Sequence, residues 1–264
     1  MRMLPNIEMV DLALLIDSIL VISDVHIGYE EALNKQGILV PRLQFDEIVK
    51  RMYSIFSALK DKKIDKIIVN GDLKHEFGTI SEQEWRNTLK FIDLLAKHCN
   101  EVILIKGNHD NILGPIAKKR NVKVVEHYIM EPIDVHSLEK NTILKKTIKK
   151  ITKIRNSILV IHGNKIPSKE FLKGISTIII GHEHPAVSLK EGARVEQFKC
   201  YLKGAYKGKN LIVQPSFNTI VEGTDLLRDK ILSPFLHQNL DNFDVYVVED
   251  KVYHFGKLRN LRKH

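Results

Sequence analysis

Half of the twelve histidines in this chain lie in five short polar blocks, and each block follows an apolar run. Aspartate, asparagine and glycine accompany these histidines. Imidazole suits borderline transition metals, oxygen ligands carry the compensating charge, and one aspartate can bridge two ions. We therefore predict a site for a pair of metal ions. The blocks are Asp24-Val25-His26, Gly71-Asp72-Leu73-Lys74-His75, Gly107-Asn108-His109-Asp110, His162-Gly163 and Gly181-His182-Glu183-His184.

The apolar runs before these blocks have the composition of β-strands. In open α/β sheets the groups that bind ligands collect at the carboxyl ends of the strands, so we expect the five blocks to meet in one crevice. The glycines allow the sharp turns and close approaches that such strand ends require. The predicted strands are Leu12–Ile16, Ile19–Ser23, Lys66–Asn70, Val102–Ile105, Ile158–Ile161 and Thr177–Ile180.

Two helices are predicted between the first strands. Apolar residues recur at helical spacing over Gln44–Leu59. Ser81 followed by Glu84 is a capping-box signature, and the helix that it begins runs to about Lys97. This alternation of strands and helices predicts a parallel or mixed sheet covered by helices. Four side chains of the second helix are predicted to face inward, namely Trp85, Leu89, Ile92 and Leu95.

The second half of the chain has the pattern of an antiparallel β region, with turns at Lys207-Gly208 and Glu249-Asp250. Its 264 residues are expected to fold as a single domain, 1–264, that ends in a β-hairpin at about 243–256. The predicted strands of this half are Val195–Leu202, Asn210–Val213, Val245–Val248 and Val252–Phe255.

A basic stretch interrupts the pattern and is interpreted as an insertion at about 134–155. Lys140–Arg155 contains seven basic residues and no acidic one. Leu144, Ile148 and Ile151 have helical spacing, which favours a basic amphipathic helix, whereas the many Thr and Ile residues leave a β-hairpin open. The formal net charge of the chain is +9, which indicates either attraction to polyanions such as nucleic acid or a lysine-rich surface of the kind that heat-adapted proteins carry.

The two cysteines and the N-terminal segment limit the class of protein. Cys99 and Cys200 form no CxxC pair, so they are expected to be reduced thiols, and a cysteine-ligated zinc site is excluded. Glu8, Asp11 and Asp17 interrupt the first apolar stretch, which also lacks the order of a signal peptide. We therefore expect a cytoplasmic protein without a membrane segment.

The order D-x-H, GD-x, GNHD, His-Gly and GH-x-H resembles the calcineurin-like metallophosphoesterase superfamily from about Leu12 to Gly223. Further segments are similar to the SbcD-related and DNA-ligase-associated phosphoesterases. The resemblance implies an α/β fold, a four-layer α/β/β/α sandwich with mixed sheets in a single domain. The segments of closer similarity are Asp24–Glu30 with Gly37 and Pro41, Gly71–Phe77, Gly181–Pro185 and Val213–Phe217.

The resemblance also implies a role for each residue of the blocks. Asp72 would bridge the two metals, and His109 would protonate the departing oxygen instead of binding metal. His75 is expected to face the substrate or to support the site, with a surface or packing role as the alternative. The first metal would be held by Asp24, His26, Asp72 and His184, and the second by Asp72, Asn108, His162 and His182. Manganese is the expected metal, and Fe, Zn, Co and Ni also suit this ligand set.

Two further residues of the blocks are open to more than one interpretation. Asp110 is expected either to orient an imidazole or to cap a helix. Lys74 is expected to be exposed, with contact to a phosphate as the alternative.

These expectations favour a binuclear metal-dependent phosphodiesterase in which a metal-bridging hydroxide attacks nucleic acid or nucleotide diesters. A phosphoesterase for small nucleotides or cyclic nucleotides is the alternative, and a non-catalytic scaffold is the third hypothesis. About forty residues follow Leu226, fewer than the DNA-capping domain of SbcD-like nucleases needs, which weakens the case for processing of double-stranded ends. The expected partner is a phosphate ester, with DNA or RNA as candidates. The sequence does not set an oligomeric state.

Overall fold

Apolar runs of four to six residues form most of the strands, because such runs suit strands and are too short for helices. The computed structural model describes residues 1–76, 81–110, 113–131, 157–192 and 194–262. Within these residues the strands form two sheets that share one apolar core. This architecture is the predicted single α/β domain, so the predicted fold class is confirmed.

The first sheet contains seven strands in the order of the sequence. Its first four strands pair antiparallel, and β4 to β7 pair parallel. Ser23 lies opposite Asn70, and Asn70 lies opposite Ile105, so β4, β5 and β6 end at the same edge of the sheet. The strands are β1 (Arg2–Leu4), β2 (Ile7–Val10), β3 (Ala13–Ile16), β4 (Ile19–Ser23), β5 (Lys66–Asn70), β6 (Glu101–Ile105) and β7 (Lys123–Val125).

Helices cover the outer face of this sheet. They are α1 (Tyr29–Lys35), α2 (Gln44–Ala58), α3 (Glu82–Ala96) and α4 (Gly114–Arg120). The predicted helices α2 and α3 are confirmed to within a residue or two. Three of the residues predicted to face inward from α3 are buried, and Trp85 is half-buried.

The start of α3 departs from the predicted capping box. The Ser81 hydroxyl does accept the N–H of Glu84, at 3.1 Å. The Glu84 carboxylate, however, accepts the backbone N–H groups of His75 and Glu76, each at 3.0 Å. Ser81 therefore acts as the cap, and Glu84 binds a loop that leads to the candidate site.

The second sheet has the order β14-β11-β12-β13-β10-β9-β8, and β15 and β16 are added beside β12. The pairs β9–β10 and β10–β13 are parallel, and β8–β9, β11–β12, β12–β13, β12–β15 and β15–β16 are antiparallel. The strands are β8 (His127–Met130), β9 (Ser157–Ile161), β10 (Ile175–Ile180), β11 (Pro185–Glu191), β12 (Arg194–Tyr206), β13 (Lys209–Val213), β14 (Thr224–Asp225), β15 (Asp244–Val248) and β16 (Val252–Lys257).

The central strands of the second sheet are buried on both faces. In β10, Ile179 packs into the core between the sheets, whereas Ile178 and Ile180 pack on the opposite side. This alternation follows from the two-residue period of a strand. The outer side is covered by the one-turn 3-10 helix Pro234–Leu236 and by α5 (Leu258–Leu261), so the described part of the second helical layer is thin.

Buried polar side chains connect the two sheets. The phenol of Tyr201 donates to the carbonyl of Asp11 or Ala13, at 2.8 and 3.0 Å. The amide of Gln214 donates to the carbonyls of Leu12 and Val21. Each bond fixes the sheets at a particular register, because a slip would leave a buried polar group without its partner.

Three remaining expectations concern the rest of the chain. Cys99 and Cys200 are free thiols, as predicted. The basic stretch at about 134–155 lies outside the described residues. In the part of the chain that is described, no helix combines the length and apolar character needed to cross a membrane.

Candidate metal centre

Seven predicted ligands meet at the edge where the parallel strands of both sheets end. Potential ligand atoms of Asp24, His26 and His184 lie within 4.8 Å of one another, as do those of a second trio, Asp72, His162 and His182. Both trios combine carboxylate and imidazole, the donors that borderline divalent metals prefer. The predicted convergence of distant strand ends is therefore present in the fold.

Asp72 belongs to the second trio and also lies close to the first. Its Oδ2 is 3.8 Å from Nε2 of His26 and 3.4 Å from Nε2 of His162. Its Oδ1 accepts the backbone N–H of His109 at 2.8 Å. Burial disfavours the Asp72 carboxylate, but the hydrogen bond and charge of His162 outweigh that effect, and the pKa lies well below its usual value. A permanently ionised oxygen between two donor groups is suited to bridge two cations.

Asp24 provides the clearest test of whether a cation fits. The side chain is fully buried, and its Oδ1 lies 3.5 Å from both Nδ1 of His162 and Nε2 of His184. Among the described residues no group donates a hydrogen bond to this oxygen. A buried carboxylate oxygen without a donor is costly, and coordination of a cation would remove that cost. The residues present fit a metal.

Asn108 and His162 are paired at the second trio. Oδ1 of Asn108 is 2.9 Å from Nε2 of His162. Burial lowers the pKa of His162, yet the hydrogen bond to Asp72 and the charge of Asp24 raise it to about 9. The environment around His162 thus favours positive charge, which is what a site for a divalent cation requires.

Two of the other imidazoles, those of His182 and His26, are held in their neutral form. Burial, followed by the charge of His162, lowers the pKa of His182 to about 4. Burial, followed by the charge of His184, places the pKa of His26 well below 6.5. A neutral imidazole keeps a lone pair for a metal, so both side chains are available as ligands near neutral pH.

The backbone is strained at the ligands. Five of the nine non-glycine residues with positive φ in the described part of the chain are predicted ligands. An L-residue in the left-handed region costs about 1–3 kcal/mol and persists where the surrounding structure imposes it, often at functional sites. These residues are Asp24 (54°), His26 (49°), Asp72 (43°), His182 (62°) and His184 (50°).

Two glycines make room for the carboxylates. A Cβ at Gly107 would lie 2.0 Å from Oδ1 of Asp72, and a Cβ at Gly181 would lie 2.3 Å from Oδ2 of Asp24. Any larger residue would displace a predicted ligand. The glycines in the sequence blocks are thus explained by the close approach of neighbouring strand ends.

His109 and His75 lie beside the first trio. A ring nitrogen of each, together with one of His26, belongs to a third close group. Nδ1–H of His109 donates to the carbonyl of His75, which directs its Nε2 toward Asp72, at 4.0 Å from Oδ2. The His75 ring packs edge-on against Tyr29, and burial with the charge of His109 lowers its pKa to about 4. The fold places both histidines at the open side of the cluster.

Lys74 contradicts the expectation of an exposed side chain. It is fully buried, and its Nζ donates to the carbonyls of Glu76 and His109. The alternative of a phosphate contact stays a prediction, and these two carbonyls engage two of the three N–H groups of the ammonium. Lys74 joins the loop that carries His75 to the loop that carries His109.

Asp110 also has a different role from either predicted one. Its Oδ2 accepts the N–H groups of Gly107 and Leu73, at 3.0 and 3.4 Å. Helix α4 begins four residues later, at Gly114, so Asp110 does not cap it. Burial, followed by the charge of Asp72, raises the pKa of Asp110 to about 6.

Glu183 was not singled out as a functional residue, although it lies between two predicted ligands. Its buried carboxylate accepts the N–H groups of Leu232 and Ser233. Burial raises its pKa to about 6. These bonds fix the loop of His182 and His184 to the segment before the 3-10 helix.

Comparison with known proteins agrees with this geometry. The sequence model of the calcineurin-like phosphoesterase family matches residues 18–204. A search of curated proteins finds no match. The crystal structure of the Pseudomonas putida nuclease MPE is similar at a TM-score of 0.58 and 16% identity, covering 92% of this chain and 91% of that chain. This likeness shows the fold.

Two other solved structures match with lower scores. Vacuolar protein sorting 29 from Cryptosporidium parvum has a TM-score of 0.38 at 15% identity, covering 90% of this chain and 97% of that chain. A predicted phosphoesterase from Streptococcus pneumoniae TIGR4 has a TM-score of 0.30 at 14% identity, with the same coverage.

Proposed function

We propose, from the premise that this chain belongs to the calcineurin-like phosphoesterase family and is a phosphoric ester hydrolase, that it is a binuclear phosphodiesterase acting on nucleic acid or nucleotide diesters. The observation that carries the proposal is the position of Asp72 Oδ2, which belongs to the second trio and lies 3.8 Å from Nε2 of His26 in the first. The two close groups of carboxylate and imidazole side chains support catalysis over the third hypothesis, a scaffold without catalysis.

In this proposal Asp24, His26 and His184 would hold the first ion, Asn108, His162 and His182 would hold the second, and Asp72 would be shared by both. Two bound divalent cations neutralise phosphoryl charge and lower the pKa of coordinated water toward neutrality. The mixture of oxygen and imidazole donors permits Fe, Zn, Co or Ni, and manganese is our proposed metal for turnover.

His109 is proposed as the general acid. The carbonyl of His75 accepts its Nδ1–H, so the proton that can be transferred is on Nε2, the atom that faces the cluster. A positioned general acid typically contributes about 10²–10⁴-fold to the rate. The help is greatest for a leaving group of high pKa, such as the sugar hydroxyl of a nucleic acid.

His75 and Asn108 are proposed to keep negative charge low where the phosphate binds. The pKa of about 4 makes His75 a neutral hydrogen-bonding side chain near pH 7. Asn108 offers an amide oxygen in place of a carboxylate, so it can bind a cation without repelling a phosphate. The site then attracts a diester that carries a single negative charge.

Nucleic acid is the proposed substrate class. The formal net charge of +9 favours a polyanion, and the structurally similar Pseudomonas putida protein is a nuclease. The two free thiols suit a reducing compartment, and we propose the cytoplasm as the location. Cell fractionation would test the location independently of the activity.

A panel of substrates with added manganese tests the proposal. We expect release of product from single-stranded DNA, duplex DNA or RNA, with kcat/KM falling steeply as salt rises, because binding of a polyanion releases counterions. Turnover restricted to nucleotides or cyclic nucleotides, with little dependence on salt, would show the small-molecule alternative. No turnover of any ester, including bis-p-nitrophenyl phosphate, would contradict the proposal.

A further inference from the structure

A cavity of about 380 Å³ adjoins the second trio. His162 lines it directly, as does Lys106, which precedes Gly107 and Asn108 in the chain. The two segments that carry Asn108 and His162 therefore continue into the walls of this space. We call it the His162 cavity.

The His162 cavity has an apolar wall with aromatic character. The rings of His127 and Phe171 meet edge to face with their centroids 4.5 Å apart. Ile166 and Pro167 extend this wall, and the Ile166 side chain is 41% exposed. A flat apolar surface of this kind suits a nucleobase, because stacking on an aromatic side chain does not depend on which base is present.

Polar and basic groups complete the lining. Asn164 is half-buried and can hydrogen-bond with the edge of a base. Lys165 is exposed at the mouth, and Lys106 is paired with Glu126 at 2.7 Å. An apolar cavity with a few polar groups, in the size range of small-molecule sites, is the usual form of a ligand pocket.

The position of the cavity relative to His109 indicates which half of a diester it receives. His109 and His75 lie beside His26, whereas the His162 cavity adjoins the other trio. The departing oxygen must face His109 to receive its proton. The group that stays on the phosphate is then free to extend toward the His162 cavity. A larger cavity of about 640 Å³, lined by Leu227 and Phe255 among others, includes none of the seven predicted ligands.

We infer that the His162 cavity binds the base of the nucleoside that remains attached to the reacting phosphate. The inference rests on the proposed function and names the substrate more closely. Phe171 provides the stacking surface, and Lys165 attracts the phosphate of the next nucleotide. The enzyme is therefore specific for diesters that carry a nucleoside on the retained side, with little preference among bases.

Two diesters with the same leaving group test the inference. Thymidine 5′-(p-nitrophenyl phosphate) retains a nucleoside after p-nitrophenolate departs, and methyl p-nitrophenyl phosphate retains only a methyl group. We expect kcat/KM to favour the thymidine ester by about tenfold, within the range for one stacked base. Phe171→Leu should reduce this ratio toward one, whereas Phe255→Leu, which removes an exposed ring elsewhere, should leave it unchanged.

A second pair of variants examines the basic group and does not depend on the fold tolerating a change at Phe171. Lys165→Ala should lower kcat/KM for a thymidine ester that also carries a 3′-phosphate more than for the thymidine ester itself, because only the former has the phosphate of a next nucleotide. Lys169→Ala, at an exposed position nearby that does not line the cavity, is the matched control.

A binding measurement separates failure of this inference from failure of the proposed function. Calorimetry should detect thymidine 5′-monophosphate binding to the wild-type protein without added metal, with affinity reduced about tenfold in Phe171→Leu, as the loss of one stacked base predicts. An equal kcat/KM for both esters in the wild type, or a ratio and affinity unaffected by Phe171→Leu, would overturn the inference. If neither ester is hydrolysed, the proposed function fails while this binding result still decides the cavity.

Discussion

The proposed metal ligands and the two histidines beside them are held in place by different means. In three of the five blocks the proposed ligands have positive φ, and Gly107 and Gly181 let the carboxylates of Asp72 and Asp24 approach the neighbouring loops. The ligand side is therefore set by backbone turns at strand ends and by close backbone approach between them.

The side of His75 and His109 depends on buried charged groups. Glu84 at the start of α3 accepts the N–H groups of His75 and Glu76, and Lys74 donates to the carbonyls of Glu76 and His109. The carbonyl of His75 in turn accepts Nδ1–H of His109. The orientation of the proposed general acid therefore rests on contacts between three separate segments.

This difference predicts which changes affect metal binding and which affect only the rate. A change at the ligand side should release metal. A change in the buried groups around His75 should leave metal bound and disturb proton transfer. The predictions below test that division, beginning with the largest effect.

Asp72→Ala should lower activity to background and reduce bound metal at both sites, because Asp72 Oδ2 faces both trios. Elemental analysis after gel filtration would measure the metal, with Asp61→Ala at an exposed position as the control. If the variant lost one ion and kept the other with normal affinity, Asp72 would not be shared.

His109→Gln should keep both metals and lower kcat by roughly 10²–10⁴-fold for substrates with poor leaving groups. The loss should be much smaller with p-nitrophenolate, which departs without a proton. His237→Gln, on the exposed surface, provides the control. Loss of metal in His109→Gln would show that His109 is a metal ligand and that it belongs with the residues of the ligand side.

Glu84→Gln should lower kcat about tenfold with KM and metal content unchanged, equivalent to the loss of one hydrogen bond of roughly 1–1.5 kcal/mol. Since Glu84 acts through the His75 loop, the loss should again be larger for poor leaving groups. When Glu84→Gln is combined with His109→Gln, kcat should fall little further, because both substitutions act on the same proton transfer. Fully additive losses would show that Glu84 acts elsewhere.

A buried lysine, Lys74, and a half-buried one, Lys199, extend the comparison to the stability of the fold. The ammonium of Lys74 has two carbonyl partners, whereas that of Lys199 donates to the hydroxyl of Ser216, next to the loop that binds the backbone of Asp24. Burial, followed by the charge of Arg51, lowers the pKa of Lys199 from 10.5 to about 7. The folded state therefore binds this proton more weakly than the unfolded chain does.

The sign of the effect follows from that difference. Lys199 favours folding above about pH 10, and this contribution is lost as the pH falls toward 7. Lys199→Met removes the titration, so near pH 6.5 we expect a Tm higher by roughly 2–4 °C, corresponding to about 1 kcal/mol. The gain should disappear near pH 10. The same shift in exposed Lys169→Met, or a gain that does not depend on pH, would contradict this account of Lys199.

The two sides also differ in how far the sequence predicts them. The strands β4, β5, β6, β9 and β10 and the helix α2 were predicted closely, because apolar period and strand-end glycines are local signals. The seven ligands converge as the parallel strand ends require. In these regions the residues adjacent in sequence determine the backbone conformation.

The supporting residues could not be predicted in the same way. Ser81 and Glu84 have the spacing of a capping box, yet Glu84 binds N–H groups of a loop earlier in the chain. Lys74 and Asp110 are buried by segments that meet only in the fold, and nothing in their own neighbourhoods indicates it. A charged residue is usually exposed, so the sequence favours an exposed position for a lysine or aspartate next to a motif. Only contacts between distant segments of the fold bury such a residue.

Anomalous diffraction from crystals soaked in manganese would test the central claim most directly. The account predicts two peaks about 3.5–4 Å apart, on either side of Asp72 and each beside one of the two trios. A single peak, or two peaks that do not share the Asp72 carboxylate, would contradict it.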